Sequence, residues 1–117
     1  MDEALRSVQQ ALDVFRVTKQ RSAEAEAVWI LGDIRSAQFP GGLDAAEAAY
    51  RQSLSLASEL EMRPLMARCH LSHGRLCRLA GRAPEARAHV ATAMAMFREM
   101  DLRRGAEDAE AEMRRVG

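Results

Sequence analysis

A chain of 117 residues, 48% apolar, with seventeen basic against seventeen acidic side chains, has the size of one domain, which buries roughly 65% of the surface its unfolded chain exposes. Uninterrupted apolar runs such as Ala27 to Leu31 are far short of the roughly 20 residues of a membrane span, and the N-terminal MDEALRSVQQ has acidic residues where a secretory signal needs an apolar segment. A membrane partner is therefore excluded, a cytoplasmic location is expected, and the balanced charge excludes the long-range attraction that a nucleic-acid partner needs.

Along the chain, apolar or small residues recur at spacings of three and four, as in Ala4, Leu5, Val8, Ala11, Leu12 and Phe15 and again in Ala86, Val90, Ala93, Met94 and Phe97. That period is helical, and no segment alternates at period two for long. Breaks fall at Pro40, Gly41, Gly42 and Gly81, while Pro64 and Pro84 suit the first turn of a following helix. The spacing predicts helices near 2–18, 22–38, 44–61, 64–80, 84–101 and 104–115.

These helices repeat. At an offset of 40, Gly41 meets Gly81, Ala46 meets Ala86, Leu56 meets Met96, Glu59 meets Glu99, Leu60 meets Met100 and Arg63 meets Arg103. At an offset of 42, lengthened near Phe39 and Pro40, Gly32 meets Gly74, Ala25 meets Ala67, Val8 meets Tyr50 and Leu12 meets Leu54. A fixed period in the range of 20 to 50 residues signals stacked supersecondary units.

Gly74, Cys77, Gly81, Ala86, Val90 and Ala93, with Gly32, Gly41, Ala46 and Tyr50 in the preceding unit, occupy small, large, Gly, Ala, aromatic and Ala positions in a pattern that resembles the tetratricopeptide repeat. Ser53 stands where Ala93 stands, Arg35 where Cys77 stands, and the period exceeds the 34 residues of that family. The longer unit resembles the family's long-helix variants. The run from Arg63 onward is similar to terminal repeats of bacterial multidomain regulators such as nucleotide cyclases, kinases and ATPase-type transcription activators. The resemblance implies an all-α fold, a right-handed α-α superhelix or solenoid of about six antiparallel helices. Residues 1–117 then form a single domain, with a half repeat at 2–18, repeats at 22–61 and 64–101, and a capping helix at 104–115. It also implies a protein-interaction scaffold, not an enzyme, that holds a peptide or neighbouring domain in a concave groove lined by the first helix of each pair.

By register, Glu26, Trp29, Asp33 and Ser36 would face that groove beside Arg68, Leu71, Arg75 and Arg78. Trp29, the only tryptophan, aligns with Leu71, and Trp and Arg are the residue types most often energetic at interfaces. Both also have plainer readings: Trp29 packs between helices, and the arginines form a solvated face.

CHLSHGRLC is the one stretch suggestive of a metal, since Cys69, His73 and Cys77 recur every four residues with His70 beside them. Cys69 and Cys77 lie about 12 Å apart on one helix, so they form no disulfide, and at most His73 and one cysteine share an ion. No other helix offers an obvious further ligand, His89 reads as a surface residue, and positions 73 and 77 are core positions of the repeat. No metal or other cofactor is expected. The carboxylates of GAEDAEAEMRR read as solvated, and no phosphate-binding or nucleophile motif occurs.

Met94, Met96, Phe97 and Met100 read as core, and Ala106, Ala109, Met113 and Val116 as the apolar stripe of a cap. The first helix aligns with second helices of the repeat, so the helix that would cover Leu5, Leu12 and Phe15 is missing from the pattern. A homodimer through that face is the alternative to a separate partner.

Overall fold

The computed structural model describes the backbone of residues 2–117 and the side chains of 3–117. The chain is all-α: α1 (Asp2–Val17), α2 (Arg21–Ser36), α3 (Leu43–Glu59), α4 (Arg63–Leu79), α5 (Ala83–Glu99) and α6 (Arg103–Val116), with no strand among the described residues. Among the described residues, no helix is long and apolar enough to cross a membrane. Two compact units divide the chain, Met1–Met62 and Arg63–Gly117. In the first, α2 packs on both α1 and α3; in the second, α5 packs on both α4 and α6, with a lesser contact of α4 on α6.

Every expected helix is present, but most end one or two residues earlier than the pattern suggests. The reason is a closure repeated after α1, α3, α4 and α5. Lys19, Glu61, Gly81 and Asp101 adopt left-handed backbone with φ of 57°, 56°, 78° and 56°. The next residue's N–H then reaches back five positions, Gln20 to Phe15 O (2.8 Å), Met62 to Ala57 O (2.8 Å), Arg82 to Cys77 O (2.8 Å) and Leu102 to Phe97 O (2.9 Å). This is the Schellman arrangement, which satisfies the otherwise orphaned carbonyls of the last turn. After α2 the chain instead tightens, with Gln38 N–H on Arg35 O and Phe39 N–H on Ser36 O, both 3.0 Å, through a longer connection to α3.

The period seen in the sequence recurs in three dimensions inside each unit. A Cβ on Gly32 would lie 2.6 Å from the Tyr50 ring, and one on Gly74 would lie 2.6 Å from Val90 Cγ2, so at both places the absence of a side chain lets two helices approach closely. Antiparallel hairpins are pinned at their open ends by Arg21–Glu59 (2.5 Å) and Arg63–Glu99 (2.8 Å). Exposed pairs like these contribute about 0–1 kcal/mol each, so they fix register more than stability.

The first unit's core gathers Val8, Leu12, Ala27, Val28 and Ala49, with Phe15, Leu31 and Ile34 against them. Leu12 is thus buried, and Phe15 packs on the same cluster: α2 covers the face of α1 that the sequence pattern leaves without a partner. Among the described residues, the large apolar side chains of α1 that stay exposed are Val14 and Val17, at 54% and 82%. The second unit's core joins Ala67, Leu71, Val90, Ala93, Phe97, Ala106 and Ala109, flanked by Met94, Met96, Met100 and Met113. The four methionines and, on α6, Ala106 and Ala109 therefore pack in or against the core, as the register predicts, while Val116 is half-buried and lies outside this cluster.

Candidate functional site

In the first unit, Glu26, Trp29, Asp33 and Ser36 follow one another at helical spacing along α2. Glu26 is exposed and Trp29 half-buried, beside an Ile30 that is 45% exposed. Asp33 accepts a 2.6 Å hydrogen bond from the Tyr50 hydroxyl, which ties α2 to α3 at the height of Gly32. Below it, the buried Ser53 hydroxyl donates to Ala25 O at 2.8 Å. Ser53, which departs from the alanine of the repeat pattern, thus satisfies its hydroxyl on the neighbouring helix.

In the second unit the four α4 residues expected in a groove take different roles. Leu71 is 5% exposed and belongs to the core cluster, so it packs inward. Arg68 is half-buried. Arg75 and Arg78 both turn to Glu112 of α6: Arg75 Nε lies 3.3 Å from Glu112 Oε1, and Arg78 Nε bonds Glu112 Oε2. Arg115 Nη1 lies 3.6 Å from the same carboxylate. Glu112 is fully buried, whereas its acidic run reads from the sequence as solvated. The reason is its register: Glu112 stands three residues after Ala109 and six after Ala106, on the stripe that α6 turns inward. A carboxylate carried there needs partners, and two guanidinium groups of α4 supply charge-assisted hydrogen bonds.

The second constellation of this unit lies between α4 and α5. His73, Cys77 and His89 bring one ligand-type atom each to within 4.8 Å of one another. His73 and Cys77 are 6% and 1% exposed, and His89 is half-buried. The rings of His73 and His89 stack at 4.2 Å between centroids with an interplanar angle of 23°. His70 Nδ1 approaches His89 Nδ1 at 3.2 Å. Burial, and then the neighbouring His73, hold the His70 imidazole below its ordinary range, because both penalise a positive charge there. Cys69 is buried and unoxidised like Cys77 but lies outside this group.

His89 is therefore no isolated surface residue, and α5 does supply what the sequence of α4 lacks. Gly74 explains the proximity: a Cβ there would come within 3.3 Å of both His89 Cβ and Ala86 O, so only glycine lets α5 approach this closely. A signal was present in the chain. In an antiparallel hairpin that turns at Gly81, residues equidistant from the turn face each other, and His73 and His89 lie eight positions either side.

No family model matches the chain, and no characterised protein matches it in sequence.

Proposed function

We propose that this chain is a tetratricopeptide-type helical repeat that acts as a protein-interaction scaffold and not as an enzyme, holding a peptide or neighbouring domain within a bacterial regulatory protein of the cytoplasm. The observation that carries the reading is the face of α2, where half-buried Trp29 stands beside exposed Ile30 and Glu26. An aromatic anchor with an apolar neighbour and a polar margin is the composition of an interface centre. The paired recurrence of Gly32 against Tyr50 and Gly74 against Val90, with the Arg21–Glu59 and Arg63–Glu99 clamps, supports the repeat assignment.

Selection of a displayed-peptide library on the whole chain tests it. Selected peptides are expected to lose tenfold or more in affinity on Trp29→Ala and to shift the emission of Trp29, the sole tryptophan, on binding. A tenfold loss corresponds to about 1.4 kcal/mol, within the range of an interface anchor. Peptides that bind wild type and Trp29→Ala equally would remove α2 as the binding face. Exposed Val14 and Val17 on α1 favour a second reading, self-association through that helix. Sedimentation across concentrations decides it, since a monomer at all of them excludes the dimer.

A further inference from the structure

The cluster of His73, Cys77 and His89 goes beyond a scaffold, and we propose that it is a zinc-type metal site in which two imidazoles and one thiolate hold a borderline-soft divalent ion. The donor set is the first argument. Two nitrogens and a sulfur suit zinc, whereas magnesium and calcium take oxygen ligands.

Geometry is the second argument. Tetrahedral bonds of about 2.0–2.1 Å to nitrogen and 2.3 Å to sulfur place ligand atoms roughly 3.3–3.6 Å apart. The three donors already lie within 4.8 Å of one another, so closure needs movements of about an ångström, by tilting the stacked rings apart. Two ligands come from α4 at spacing i and i+4, on one helix face, and the third comes from a second helix held close at Gly74.

Access and support complete the case. His73 and Cys77 are buried, and His89 and His70 are half-buried, so an ion enters from the His89 side. His70 contacts Nδ1 of His89 at 3.2 Å, and the proposal assigns the other ring nitrogen of His89, Nε2, to the metal. A second histidine bonded to the far nitrogen of a ligating imidazole fixes that ring's tautomer and orientation, so His70 is the positioning residue. On binding, the Cys77 thiol releases its proton to solvent and the sulfur binds as thiolate, while both imidazoles bind neutral. The fourth position falls to water.

The test uses the whole chain, stripped with a chelator and titrated with cobalt(II) chloride, then with zinc(II) chloride in competition. The expected result is a thiolate-to-cobalt charge-transfer band that saturates at one equivalent and is bleached by zinc. It is lost in Cys77→Ser, retained in Cys69→Ser, and requires at least tenfold more cobalt in His89→Gln. His70→Gln is expected to weaken binding by about tenfold while keeping the band, the size of effect seen when an outer-shell partner is removed. No saturable band in the wild type overturns the proposal, as does a band that survives Cys77→Ser. Should circular dichroism show Cys77→Ser unfolded, unchanged cobalt affinity in His89→Gln overturns it instead. None of these readouts depends on Trp29 or on a peptide partner, so this proposal and the scaffold reading fail separately.

Discussion

Replacing Glu112 is the sharpest probe of how the second unit is held together. Its carboxylate has no solvent exposure and meets Arg75 at 3.3 Å, Arg115 at 3.6 Å and Arg78 in a direct hydrogen bond. At an effective dielectric of about 20, the 3.3 Å pair alone has a gross attraction of about 5 kcal/mol. Desolvation of the carboxylate offsets most of this, and the net value is far smaller. Removing one partner of a buried pair usually costs about 3–5 kcal/mol because a charge is stranded. Here the arginines are 44%, 29% and 63% exposed and rehydrate, so that portion is largely absent. Glu112→Gln keeps the shape and loses only the charge-assisted bonding, for an expected destabilisation of about 1–2 kcal/mol. Glu112→Ala also removes buried methylene packing, at about 0.8 kcal/mol per group, for about 2–4 kcal/mol in all. Urea denaturation followed by circular dichroism measures both, and amide exchange is expected to accelerate first in α6. A double-mutant cycle with Arg78→Gln is expected to give coupling of about 1 kcal/mol or more. A Glu112→Gln variant within 0.5 kcal/mol of wild type, or a coupling near zero, would refute the reasoning.

Three other outcomes are expected. Gly74→Ala and Gly32→Ala gain up to about 1 kcal/mol in helix propensity but set a methyl 2.6 Å from Val90 or Tyr50, so both should lower the melting temperature, with a net cost of about 1–3 kcal/mol. Asp101→Gly and Glu61→Gly relieve left-handed backbone that costs a non-glycine residue about 1–2 kcal/mol, and after the entropy cost of glycine each should stabilise by about 0.5–1 kcal/mol in thermal unfolding. For pH the sign follows from the depressed His70 imidazole: above its ordinary value of 6.5 it is neutral in both states, and below that the unfolded chain takes up a proton the folded chain resists. Stability in the presence of a chelator should therefore fall as pH drops through 6.5 towards the folded value, and His70→Gln should fall less steeply. An equal loss of unfolding free energy between pH 7.5 and 5.5 in wild type and His70→Gln, measured by urea denaturation, would contradict this assignment.

The number, order and period of the helices were legible in the chain because each helix must turn one stripe inward, and Ala25, Ala46, Ala67 and Ala86 mark those stripes at intervals the eye can count. The closures were half legible. Gly81 announces a left-handed turn, whereas Lys19, Glu61 and Asp101 adopt the same backbone under side chains that usually avoid it, so their helices end earlier than the pattern implies.

Tertiary structure alone decided which polar residues go inside. Glu112 sits in an acidic run, and only the guanidinium groups of another helix make its burial tolerable. Arg75 and Arg78 look available on the helix that carries them, yet their partner lies more than thirty residues away. His73 and Cys77 are a fragment of a metal-ligand set on α4, and they become a cluster only where Gly74 admits α5 and its His89. Periodicity determines which face of a helix is buried, a local property of spacing; which side chains from two helices meet on that face depends on how closely they approach, and that distance is set by packing.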